Sequence, residues 1–177
     1  MIPFNDWYHC TEHTYGTWLR GDPRGWRARH HREHVEGDYK NPPPKGTYDK
    51  LHEYSKSLMT RDPVRIQKDR RTFVLNCIAE KLQEKGIEVL IACLDGTHLH
   101  VIARFPDHNP RHWMGLAKKH ASHMCRPMPD YPDGGLWAKR GLPKPIGDEA
   151  HLINARDYLL DHRFRDAAVW EPPRPVR

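Results

Sequence analysis

Gly96-Thr97-His98-Leu99-His100-Val101-Ile102-Ala103-Arg104-Phe105 is the stretch on which the fold turns. In an extended chain, successive side chains point to opposite faces. Leu99, Val101, Ala103 and Phe105 therefore share one face, and His98, His100, Ile102 and Arg104 share the other. The first face requires a core. The second sets two imidazoles side by side, at a spacing that lets both reach one metal ion. Just upstream, residues 87–94 are rich in branched side chains and form a buried strand, and Asp95-Gly96 is a two-residue hairpin signal. The two strands are thus expected to be antiparallel neighbours.

Working outward, Asp62-Pro63 supplies an N-cap and a first helical residue. Val64, Phe73, Val74, Cys77, Ile78 and Leu82 then recur near helical spacing until Gly86 ends the helix. Beyond Phe105, Asn109 can cap a second helix over about 111–126, with an apolar side and a basic side. Residues 136–140 give a short strand near an edge. At the other end, residues 7–15 form a first strand in which Trp7, His9, Thr11 and His13 alternate with Tyr8, Cys10 and Thr14. The order is β-α-β-β-α-β, a ferredoxin-like α+β fold with an antiparallel sheet and two helices on one face. The apolar face of the quoted strand lies under those helices. His98 and His100 face the other side, where one more helix, over about 149–164 and capped by Asp148, has room to dock.

The chain has 177 residues, expected to form a single domain over 1–177. Only 37% of them are hydrophobic and 29% are charged, which fits a small core with polar extensions. One extension is a long basic insertion at about 16–57, holding an Arg/His-rich stretch with Trp26, a proline run and at most a short helix near 48–58. The other is an extended tail at about 165–177. The net charge of +6, with 14 histidines left neutral, favours a polyanionic partner. Cys10, Cys77, Cys93 and Cys125 are scattered, with no CxxC pair, as expected of reduced thiols in a cytoplasmic protein. The start lacks a signal-peptide pattern, and the longest apolar run, 89–94, is too short to span a bilayer. No membrane partner is expected.

On the last helix, Leu152, Ile153, Ala155, Leu159 and Leu160 form an apolar stripe. His151, Asn154, Tyr158 and His162 group together away from it, with Tyr158 roughly 140° from the stripe's centre. Tyr158 and His162 are four residues apart and share a face. Docked on the open side of the sheet, this helix can bring both to His98 and His100. Three imidazoles suit a divalent metal that polarises a phosphate oxygen, and the tyrosine oxygen suits attack on phosphorus. Two other readings stay open. One is a nucleic-acid-binding sheet without catalysis, against which stands the lack of aromatics among His98, His100, Ile102 and Arg104. The other is a zinc hydrolase built on the three histidines, which leaves Tyr158 without a task.

His98-Leu99-His100 matches the His-hydrophobic-His (HUH) signature of single-strand DNA endonucleases. More closely, the chain resembles the one-tyrosine HUH transposases of insertion sequences and their REP-associated tyrosine transposase relatives. The resemblance is carried by residues 15–25 (YGTWLRGDPRG) after the first strand, by the central HUH strand after a hairpin, by Leu116-Ala117-Lys118-Lys119-His120 on the following helix, and by Tyr158 and His162 on the last. It implies that Tyr158 is the nucleophile and that His98 and His100 are metal ligands. His162 stands where family members carry a third ligand, often Gln or Asn. The implied cofactor is Mg²⁺ or Mn²⁺, and a third nitrogen ligand tilts the choice toward Mn²⁺. The implied reaction cleaves single-stranded DNA through a 5′-phosphotyrosine link, and the implied partner is a single strand with hairpin structure. Arg24, Arg27, Arg29, Arg32, Arg111, Lys118 and Lys119 are expected to contact its backbone. Some family members are homodimers that exchange the tyrosine between copies, and the resemblance leaves delivery in cis or in trans open.

Overall fold

The structure, a computed structural model, describes residues 2–23, 44 and 46–173. Arg24, Arg27, Arg29 and Arg32, the histidines His30, His31 and His34, and the last four residues of the tail lie outside the described residues.

The elements in chain order are β1 (Trp7–His13), α1 (Asp49–Ser57), α2 (Lys68–Glu84), β2 (Glu88–Leu94), β3 (His98–Arg104), α3 (Pro110–Cys125), β4 (Leu142–Pro145), α4 (Glu149–Asp161) and β5 (Ala168–Trp170). The strands form one antiparallel sheet in the order β4-β1-β3-β2-β5. Within it, β1-α2-β2-β3-α3-β4 is the expected ferredoxin-like unit. Alternation along β3 divides the core in two. Leu99, Val101, Ala103 and Phe105 join Val74, Leu75, Ile78 and Leu82 of α2 and Met114, Ala117 and Ala121 of α3 in the larger apolar cluster. On the other face, Ile102 joins Trp7, Ile91, Cys93, Ile146, Ala155 and Leu159, so α4 docks beside the histidines. Asp148 caps α4 by accepting a hydrogen bond from the backbone N–H of His151 at 2.7 Å. All four cysteines are free and buried. Among the described residues, no helix is long and apolar enough to cross a membrane.

Four expectations require correction. The first helix begins at Lys68, not at Asp62-Pro63. Residues 62–67 are not helical: the Val64 N–H donates to the Tyr15 carbonyl and the Ile66 N–H to the Gly96 carbonyl, both at 2.9 Å. Those tertiary bonds outweigh the local helix-start pattern. The edge strand is Leu142–Pro145 and not 136–140, where Trp137 makes only an isolated bridge to Thr14. Pro143 and Pro145 hide a strand from a propensity reading, yet an edge strand tolerates their missing donors. The expected four strands gain a fifth: within the tail, Ala168–Trp170 pairs with β2. Finally, Ile153 is half exposed, outside the contact made by Ala155 and Leu159.

Candidate active site

The register of β1 on β3 builds the site. His13 lies opposite His98, and Thr11 opposite His100. Residues opposite each other share a face, so β1 adds His13, Thr11 and His9 to the two histidines of β3. From the far side, α4 and the 3₁₀ turn His162–Arg165 deliver Tyr158 and His162. The Tyr158 ring stands edge-on to His100 at 6.1 Å and to His162 at 4.9 Å between centroids. The rings of His100 and His162 are 5.4 Å apart. The four residues singled out in the sequence therefore meet in space: His98 and His100 are parallel neighbours 6.4 Å apart, with Tyr158 and His162 beside His100.

The imidazoles are held by their δ nitrogens. His98 Nδ1 is hydrogen-bonded to Thr97 Oγ1 at 2.6 Å, and the Thr97 hydroxyl lies 3.2 Å from Asp95 Oδ1. Asp95 is fixed in turn by the backbone N–H groups of Thr97 and His98, each at 2.6 Å. Burial would raise its carboxyl, but hydrogen bonds from the His98 ring and these two backbone donors hold it well below the usual carboxylate range. His100 Nδ1 is 3.1 Å from His9 Nε2 and 3.2 Å from Thr11 Oγ1. With the proton on Nδ1, each ring keeps its Nε2 lone pair for a ligand.

Burial sets the charge state. It lowers His100 to about 3, with neighbouring imidazoles adding to the effect, and lowers His9 to about 4, with help from Lys144. It lowers His162 too, with Arg165 pushing the same way. These rings are neutral at pH 7, the form that binds metals. His162 Nε2 is buried without a hydrogen-bond partner, the kind of orphan that a ligand would satisfy. The donor set therefore suits a divalent transition ion in chemistry. Among the described residues, however, no three His, Cys, Asp or Glu side chains already stand in a geometry that would hold one ion.

Tyr158 is 44% exposed. His9, Thr11 and Asp95 escape a reading of β3 and the last helix alone. The alternation of β1 put His9 and Thr11 on one face, but only the register with β3 sets them against His100.

Of the expected backbone-contacting residues, Arg111 and Lys119 are exposed on α3. Lys118 is not available: it is buried, paired with Glu12 at 2.5 Å, and donates to the Ala138 carbonyl at 3.1 Å. The exposed Lys119 lines a groove with Lys81, Lys85, Arg126 and Lys139, and the buried Lys118 borders the same groove while its ammonium is held by Glu12.

No protein-family model matches the sequence, and none of the curated proteins does. Among solved structures, the chain is similar to one described as a REP-associated tyrosine transposase bound to a REP hairpin. Identity is 13%, coverage is 93% of this chain and 71% of that chain, and the TM-score is 0.48.

Proposed function

We propose that this protein is a metal-dependent single-strand DNA endonuclease and strand-transferase of the transposase type, with Tyr158 as its nucleophile. The observation that carries the reading is the placement of a half-exposed tyrosine against His100 and His162, next to a buried imidazole nitrogen with no partner. A tyrosine on an α4 face that avoids the core has no packing task to explain it.

In this reading, Tyr158 Oη attacks phosphorus. The new O–P bond leaves a 5′-phosphotyrosine link, the bond to the 3′ oxygen breaks, and the departing strand ends in a 3′-OH. The phenol proton leaves to water, and the departing 3′ oxygen takes a proton from water. His98, His100 and His162 would hold a divalent ion, Mn²⁺ or Mg²⁺. When bound, such an ion polarises a phosphate oxygen and offsets charge on the leaving oxygen. Asp95 with Thr97 keeps the His98 ring oriented, and His9 with Thr11 does the same for His100. Attack of a free 3′-OH on the phosphotyrosine would rejoin strands without an external energy source.

The lack of a three-ligand geometry among the described residues favours a second reading, a nucleic-acid-binding protein on the same fold without catalysis. One experiment separates them. Labelled single-stranded hairpin DNA is incubated with the protein and Mn²⁺ or Mg²⁺, then denatured. The catalytic reading expects a covalent adduct that Tyr158→Phe abolishes while DNA binding persists. Binding with no adduct under either metal favours the second reading. Cleavage by Tyr158→Phe would remove Tyr158 from the mechanism.

A further inference from the structure

The turn after β1 has no task in the chemistry above, yet it is fixed to the body of the protein. Thr14 and Thr17 are buried. The Thr14 hydroxyl donates to the Val64 carbonyl at 2.6 Å, and the Thr17 hydroxyl to the Thr14 carbonyl at 3.0 Å. Gly16 and Gly21 have φ of +72° and +79°, in the left-handed region that favours glycine. A Cβ on Gly16 would lie 2.4 Å from Met59 Cε and 3.1 Å from Pro63 Cα, and one on Gly21 would lie 2.5 Å from the His52 backbone nitrogen. A side chain at either glycine would therefore clash with residues 48–63, against which the turn lies closely.

What this rigid turn presents is Trp18. Its indole stacks on His13, with centroids 5.3 Å apart and planes 15° from parallel. It stands edge-on to His98 at 6.0 Å, and 39% of the residue remains exposed. Trp18 therefore meets the histidine pair at His98, while Tyr158 meets it at His100. The open face of β3 offers no aromatic of its own, so the turn supplies the only ring system of indole size among the described residues in contact with His98.

We propose that Trp18 is a stacking platform for a nucleobase next to the phosphate that Tyr158 attacks. The proposal deepens the reading of the preceding subsection and rests on it. Every base has a π face, and base–aromatic stacking is worth roughly a factor of 5 to 150 in affinity per base, whatever the sequence. Distances of this order let one nucleotide bridge the two groups, its base on the indole and its phosphate at the imidazoles. Rigidity matters here because a platform that is already in place loses little entropy on binding. Trp18 would thus fix where the strand lies along the histidine row, and so which phosphate meets Tyr158.

The test compares fluorescein-labelled oligothymidylate with a strand of the same length made only of abasic deoxyribose phosphates, by fluorescence anisotropy on the full chain. Wild type is expected to prefer the base-bearing strand roughly tenfold. Trp18→Leu keeps apolar bulk without a ring. It is expected to bring the preference close to one while leaving affinity for the abasic strand unchanged. Trp18→Phe should keep most of the preference. A merely structural role would lower both affinities together in Trp18→Leu, and that result overturns the proposal, as does a preference that survives in Trp18→Leu. The adduct assay separates the two levels. An adduct in wild type together with a preference indifferent to Trp18 sinks this inference alone. No adduct and no preference sink both.

Discussion

One face of the sheet carries two helices and the other carries one, and polar side chains meet different fates on them. On the two-helix side, Glu12 and Lys118 are 3% and 7% exposed. They meet there at 2.5 Å, and Lys118 Nζ also donates a hydrogen bond to the Ala138 carbonyl. On the one-helix side the polar groups are imidazoles, which avoid charge by losing a proton as burial lowers His9 and His100. A closed face demands that charges be paired inside it. A half-covered face can leave a lone pair such as that of His162 without an internal partner, available to something from outside.

The largest expected effect breaks the pair on the closed face. Lys118→Met should destabilise the protein by about 3–5 kcal/mol, because the Glu12 carboxylate is left buried and alone. Urea unfolding measures it. Adding Glu12→Leu to make the apolar pair should restore most of the loss. A cost below about 1 kcal/mol would be typical of an exposed ion pair, and the contrast between the faces would collapse.

Next come paired core deletions. Leu99 and Leu159 are both fully buried, one on each face. Leu99→Ala, under two helices, should cost roughly 3–5 kcal/mol, the upper part of the usual span for leucine truncation. Leu159→Ala is expected nearer 2–3 kcal/mol, since a single helix can settle into the space. The two should differ in kind as well. Hydrogen exchange should show Leu99→Ala lowering protection throughout the sheet, and Leu159→Ala releasing α4 before the rest. The second variant should thus lose adduct formation at temperatures where the fold persists, because Tyr158 arrives on that helix and His162 on the turn that ends it.

Much of this division was legible in the sequence. Alternation along β3 assigned Leu99 and Val101 to the core and His98 and His100 to the open side, and the helical wheel set Tyr158 apart from Leu159. Period-two and period-3.6 patterns are local, and they survive folding wherever one face of an element is buried. What escaped depends on contacts remote in sequence. The non-helical path of Val64 and Ile66 follows from bonds to Tyr15 and Gly96. The strand at Leu142–Pro145 is visible only through its ladder with β1. Lys118 and Lys119 look alike as letters, and only the docking of α3 over Glu12 makes one of them internal. The support of His100 by His9 and Thr11 needed a register that no local pattern encodes.

That support gives the next prediction. His9→Ala and Thr11→Val remove the groups facing His100 Nδ1 without touching the larger core. Loss of such orienting partners typically lowers metal affinity 10- to 100-fold. Calorimetric titration with Mn²⁺ should show a drop of that size for His9→Ala and a smaller one for Thr11→Val, with thermal unfolding of the metal-free protein little changed. Unchanged Mn²⁺ affinity in both variants would mean that His100 is not oriented through Nδ1.

The smallest effect tests the comparison at its finest grain, between neighbouring lysines on α3. Lys119 faces outward beside Lys81, Lys85, Arg126 and Lys139, whereas Lys118 turns in toward Glu12. If the outward cations meet phosphates, Lys119→Ala should weaken single-strand binding several-fold at about 0.1 M salt. It should also reduce the slope of log affinity against log salt by roughly 0.7, the counterion release of one phosphate contact on a single strand. Lys118→Met, measured below its lowered unfolding temperature, should leave that slope unchanged, since an internal ion releases no counterion on binding. Equal slopes for wild type and Lys119→Ala would place the strand away from this groove and leave binding to the one-helix face alone.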